Sequence, residues 1–119
     1  MDNLKSLIYI VDDDVSICRA LTLLLKSHGF KVETFTHARS FLAYKHPKLP
    51  SCLVLDISLP DINGLTLQET MTRRGIAIPI IFITGYAEDG MHFNAGKLGE
   101  VIQKPFNLDH LMITMREYL

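Results

Sequence analysis

Lysine and arginine do not cluster anywhere in this sequence. The 12 basic residues are spread among 13 acidic ones, for a formal net charge of −1. Direct binding to nucleic acid or to an anionic membrane surface is therefore not expected. Long apolar runs are missing too. The first run, Leu7 to Val11, stops at three acids and is too brief for a signal-peptide core. Nothing approaches the ~18 consecutive apolar residues of a membrane span, so the expected location is cytoplasmic. Cysteine is scarce. Cys18 and Cys52 lack the CxxC spacing of a metal or redox pair and sit in apolar-periodic segments, where they read as buried, reduced thiols. The five histidines are scattered without metal-ligand spacing and read as surface residues. No GxxxxGK[ST] loop is present, which excludes a nucleotide cradle of the P-loop type. No repeat or low-complexity linker divides the chain, so residues 1–119 read as one domain.

What is present is a chain with 48% apolar and 21% charged residues, a balance that favours a packed core over disorder. Its apolar pattern changes period repeatedly. Leu7-Ile8-Tyr9-Ile10-Val11 is a continuous apolar run, as expected of a strand buried on both faces. Ile17, Cys18, Leu21, Leu24 and Leu25 recur at helical spacing over Val15 to Ser27, and Gly29 supplies a stop. Lys31 to Phe35 reads as a more exposed strand, and Ala38 to Tyr44 as a short helix with Phe41 and Leu42 inward. Cys52 to Leu55 is a third strand ending on Asp56. A turn through Pro60 and Gly64 leads to a helix from Leu65 to about Arg74, stopped by Gly75. Ile80 to Ile83 is a fourth strand ending at Thr84, and Val101 to Gln103 a fifth ending at Lys104. Between them, residues 87–98 predict a poor helix because Gly90 and Gly96 interrupt it. Asn107 caps a last helix with Asp109 in its first turn, and Met112 and Met115 fall on its core side. Strands and helices in strict alternation imply a parallel sheet with right-handed crossovers. The expected fold is α/β, a flavodoxin-like three-layer (βα)5 sandwich whose five strands run in the order 2-1-3-4-5.

In an open parallel sheet, ligands bind beyond the carboxyl ends of the strands. Those ends carry Asp12-Asp13-Asp14, Asp56, Thr84 and Lys104. Asp14 reads as the cap of the helix that follows. Carboxylates packed together repel unless a cation lies between them, and Mg²⁺ suits a site with few carboxylates. Lys104 supplies a charge and Thr84 a hydroxyl for phosphoryl oxygens. A carboxylate nucleophile, a metal and two such donors make acyl-phosphate formation the coherent chemistry.

The runs Ile10-Val11-Asp12-Asp13-Asp14, Leu55 to Gly64 (Leu-Asp-Ile-Ser-Leu-Pro-Asp-Ile-Asn-Gly), Ile83-Thr84-Gly85 and Lys104-Pro105-Phe106 together resemble the receiver (CheY-like) domain of two-component response regulators. The details are most similar to its FixJ-like branch, and the resemblance covers the whole chain. It implies a signalling switch in which Asp56 takes a phosphoryl group from a sensor histidine kinase and becomes an aspartyl phosphate. Asp12, Asp13 and Asp56 would hold Mg²⁺, Asp13 directly and Asp12 largely through water, with the main-chain carbonyl of Ser58 as a further ligand. Thr84 and Lys104 would bind the phosphoryl oxygens, and the Lys104–Pro105 bond would be cis. The state of the site would be read by an output domain or partner protein on the face formed by the fourth and fifth expected helices and the fifth strand. Relatives in that branch carry a DNA-binding output domain after this point, and these residues hold none. Such a domain phosphorylates and dephosphorylates itself, and it is not a turnover enzyme.

Two departures from the family pattern bear on output. Val101 stands where receivers usually carry an aromatic switch residue, and a β-branched aliphatic side chain cannot swing in the same way. Gly90, Gly96 and Gly99 fall in the output-face segment, which predicts an atypical, more mobile signalling surface. A phosphorylation-independent binding module is therefore the alternative. An aspartyl phosphatase is disfavoured, because Ser58 occupies the place of its general acid. Tyr86 is a candidate gate for water at the phosphoryl site.

Overall fold

The computed structural model describes residues 6–45, 51–57, 59–84, 100–103 and 108–118. Five parallel strands form one sheet: β1 (Leu7–Val11), β2 (Lys31–Phe35), β3 (Ser51–Asp56), β4 (Ile80–Thr84) and β5 (Glu100–Gln103). Their order is β2-β1-β3-β4-β5, as the alternation predicts. Four helices stand among the described residues: α1 (Val15–Ser27), α2 (Ala38–Ala43), α3 (Gly64–Arg73) and α4 (Leu108–Tyr118). The poor helix predicted over 87–98 and the cap Asn107 lie outside the described residues. No described helix is long and apolar enough to cross a membrane.

The sheet separates two cores by the period of its side chains. Leu7, Tyr9 and Val11 of β1, Leu53 and Leu55 of β3, and Ile80 and Phe82 of β4 face Phe41 of α2 and Leu67 and Met71 of α3. The alternate residues Ile8, Ile10, Cys52, Val54, Ile81 and Ile83 face Cys18, Leu21 and Leu25 of α1 and Leu111, Met112 and Met115 of α4. Both faces of the central strands are thus covered, which is why their sequences read as unbroken apolar runs. Each fully buried aliphatic side chain contributes roughly 1.5–3 kcal/mol relative to leaving it exposed. β2 is an edge strand, and its mixed sequence matches its half-exposed position.

The ends of α1 and α3 repeat one device. Gly29 and Gly75 adopt φ of 89° and 72°, in the left-handed region where a side chain is costly. Phe30 N–H donates to the Leu25 carbonyl and Ile76 N–H to the Met71 carbonyl, at 3.1 and 2.9 Å. Gly29 and Gly75 donate to Lys26 and Thr72, which completes a Schellman motif at each helix end. The helix expected to reach Tyr44 ends one residue earlier, because Tyr44 turns extended at ψ 141°. There its ring joins an aromatic group with Tyr9, Phe35 and Phe41; Phe35 lies 5.4 Å from Tyr44 and 5.5 Å from Phe41, centroid to centroid.

Candidate phosphoryl and metal site

The register of the sheet brings the acids together. Val11 of β1 pairs with Leu55 of β3, so the next residues, Asp12 and Asp56, emerge side by side from neighbouring strands. Asp12, Asp13 and Asp56 each offer a carboxylate oxygen, and these atoms lie within 4.8 Å of one another. Asp12 is fully buried and Asp56 only 4% exposed, whereas Asp13 is exposed and leaves the cluster open to solvent on its side.

Local bonds fix the first loop. Asp12 N–H donates to the Phe35 carbonyl at 3.0 Å, extending the ladder one step past β1. The Asp12 carboxylate accepts from the Asp14 N–H at 2.9 Å, and its carbonyl accepts from the Cys18 thiol at 3.3 Å. Asp14 turns the other way. Its carboxylate accepts from the N–H groups of Ser16 and Ile17, at 2.9 and 3.3 Å, and caps α1 as expected. Cys18 and Cys52 are buried free thiols, and burial pushes Cys52 up to about 12. Met112 and Met115 are core residues, and His28, His37 and His110 are exposed.

The loop after β3 is held by packing as well as bonding. Ile57 N–H donates to the Ile83 carbonyl at 2.9 Å, and the Ile57 carbonyl accepts from Gly64 N–H at 2.7 Å. A Cβ on Gly64 would lie 2.9 Å from the Ile57 Cα and 3.2 Å from the Asp56 carbonyl oxygen, so only glycine lets the loop close against its own strand. Asn63 caps α3 by accepting from Thr66 N–H at 2.9 Å.

Asp61, in the same loop, has a role that the sequence did not disclose. Its two carboxylate oxygens accept from the backbone N–H groups of Ala38 and Arg39, at 3.2 and 3.0 Å. These are the first two residues of α2. The adjacent His37 makes no capping bond and pairs instead with the Thr36 hydroxyl at 3.2 Å. Desolvation raises the Asp61 pKa, but the N–H groups of Arg39 and Ala38, with those of Asp61 and Ile62, outweigh it and hold the carboxyl below its ordinary value. The Arg39 guanidinium is 3.9 Å away and 76% exposed, so it adds little.

Of the other expected site residues, Thr84 ends β4 one position beyond Ile83, the partner of Asp56, and itself pairs with Gln103. Val101 lies on β5 opposite Phe82. Ser58, Tyr86, Lys104 and Pro105 lie outside the described residues. The donor set of three clustered carboxylates, two of them buried, suits a hard divalent cation and fits Mg²⁺.

Comparison with known proteins identifies the family. The family model of the response regulator receiver domain matches residues 8–116. Nodulation protein W of Bradyrhizobium diazoefficiens is 43% identical over 110 residues, covering 91% of this chain and 48% of that protein. Transcriptional regulatory protein FixJ of the same organism is 35% identical over 109 residues, covering 90% of this chain and 53% of FixJ. The solved structure of response regulator StyR superposes with a TM-score of 0.89 at 40% identity, covering 97% of this chain and 59% of that one. The chain spans about half the length of the curated relatives it matches.

Proposed function

The chain belongs to the response regulator receiver family of two-component systems, and from that premise we propose that it is a phosphorylation switch in which Asp56 accepts a phosphoryl group from a sensor histidine kinase. The observation that carries this is the convergence of Asp12, Asp13 and Asp56 within 4.8 Å at the carboxyl edge of the sheet. A carboxylate oxygen of Asp56 attacks phosphorus in line as the bond from phosphorus to the donor histidine nitrogen breaks. That nitrogen leaves with the bonding pair, and the product is an acyl phosphate that water later hydrolyses. Asp12, Asp13, Asp56 and the main-chain carbonyl of Ser58 are the groups that would hold Mg²⁺, which when bound offsets the negative charge gathered there. Lys104 and the Thr84 hydroxyl take the phosphoryl oxygens. Each domain carries one phosphoryl group at a time and does not turn over a pool of substrate.

Kinase docking on α1 is supported by Val15 and Leu23, large apolar side chains left 55% and 69% exposed on that helix. Output passes through the face of β5, the 87–98 segment and α4 to an output domain or partner protein. Transcriptional control is the proposed role of the whole protein, as the name of the relative FixJ states for that protein. The test is incubation with Mg²⁺ and acetyl phosphate, followed by intact mass measurement. One added phosphoryl group is expected on the native chain and none on Asp56→Asn. An unmodified native chain would leave a phosphorylation-independent binding module as the better description.

A further inference from the structure

Away from the acidic edge, α2 and α3 enclose an open groove of about 570 Å³. Its walls carry Arg39 of α2, Arg73 of α3 and Arg74 just beyond α3, with Thr70 between them and Leu42 and Ile62 as the apolar part of the lining. No acidic residue lines it among the described residues, in a chain whose net charge is −1. We propose that this groove is a docking site for an acidic, amphipathic peptide segment of a partner protein.

Two of the three guanidinium groups make hydrogen bonds within the groove. Arg73 Nη2 donates to the Thr70 hydroxyl at 3.2 Å, and Arg74 Nη1 donates to the Leu42 carbonyl at 3.4 Å. Arg39 is exposed and lies 3.9 Å from Asp61, whose two oxygens already accept backbone N–H groups of α2, so its guanidinium is open to a ligand. A guanidinium has five N–H donors in a planar fork, so each arginine keeps donors for a bidentate carboxylate. Leu42 and Ile62 are half-buried and pack against the core, and they present an apolar surface between the charges. Carboxylates for the forks and an aliphatic side chain for the floor together describe an acidic amphipathic peptide. Nucleic acid suits the groove less well. A duplex is gripped through about 6–10 phosphate contacts, and this groove gathers three cations beside an aliphatic surface.

The test uses the full chain and a labelled short synthetic peptide of alternating glutamate and leucine, followed by fluorescence anisotropy, with amide NMR shifts locating the contact. Saturable binding is expected, with shifts concentrated on α2 and α3 and affinity falling as salt rises. Reversing charge in the double variant Arg39→Glu, Arg73→Glu should weaken binding by about tenfold or more. If that variant folds poorly, Arg73→Gln alone, at an exposed helix position, should weaken it in the same direction by a smaller factor. Lys26→Gln, a charge change at the exposed end of α1, should leave it unchanged. Failure to saturate, indifference to both arginine changes, or equal binding of an oligothymidylate of matched length through the same amides would each overturn the proposal.

Discussion

The carboxyl ends of β1 and β3, each taken with the loop that follows, perform the same two tasks with different reach. Each sends a carboxylate to the acidic cluster and each caps a helix with another. After β1, Asp12 and Asp13 join the cluster, and Asp14 caps α1, the helix that begins at the next residue. At β3, the last strand residue Asp56 joins the cluster, and Asp61 in the loop beyond it caps α2, whose first two residues lie 23 and 22 positions earlier in the chain. The first loop is a self-contained strand-to-helix turn. The second is a clasp between separate parts of the fold, so its conformation and the seating of α2 are set together.

The largest effect that separates the loops concerns the cluster. Asp13→Ala removes a cluster acid, and phosphorylation by acetyl phosphate should lose its dependence on Mg²⁺, read by mass across a metal titration. Asp61→Ala removes a clasp acid and should leave that dependence intact. Next in size is the fit of the second loop. Gly64→Ala forces a Cβ against backbone at Ile57 and Asp56, and should destabilise the fold by about 1–3 kcal/mol in urea unfolding. A cost near zero would mean that the loop is looser than its contacts imply.

The two caps come next. Asp14→Ala and Asp61→Ala should each cost about 1 kcal/mol, but in different places. Hydrogen exchange should quicken in α1 for the first and in α2 for the second. If Asp61→Ala leaves the α2 amides unchanged, the clasp is not what seats that helix. The smallest effect is on pH. The folded pKa of Asp61 lies below its unfolded value, so its contribution is fully present above the ordinary carboxylate range. It is lost as pH falls through the depressed folded value. The stability gap between the native chain and Asp61→Asn should therefore be constant near neutrality and begin to narrow below about pH 4.

The same contrast explains what could be read from the sequence. The strands and α1 were legible because burial on both faces writes continuous apolar runs, and a helix packed on one side writes a periodic stripe. The cluster was legible because acids at the end of an apolar run point to a strand end, and a parallel sheet collects its strand ends on one edge. Element boundaries were less so. β3 begins at Ser51 and β5 at Glu100, neither apolar, because pairing with Leu7 and Ile81 extends them. The clasp of Asp61 left no local signature. The nearest hint is negative, a histidine at the cap position of α2 where Ser, Thr, Asp or Asn is usual. The close approach at Gly64 was equally silent, since a glycine before a helix also reads as part of an ordinary turn.

The clasp also bears on protein engineering. Exchanging the segment after Asp56 between homologous scaffolds looks like a cassette swap bounded by a strand and a helix. In this protein the cassette has a third end. A graft that lacks an acceptor at the position of Asp61, or that meets a recipient whose second helix starts with a different phase, would leave the Ala38 and Arg39 amides without their carboxylate. Chimeras should therefore be cut so that residues 36–40 travel with the loop, as one exchangeable part in two pieces of chain.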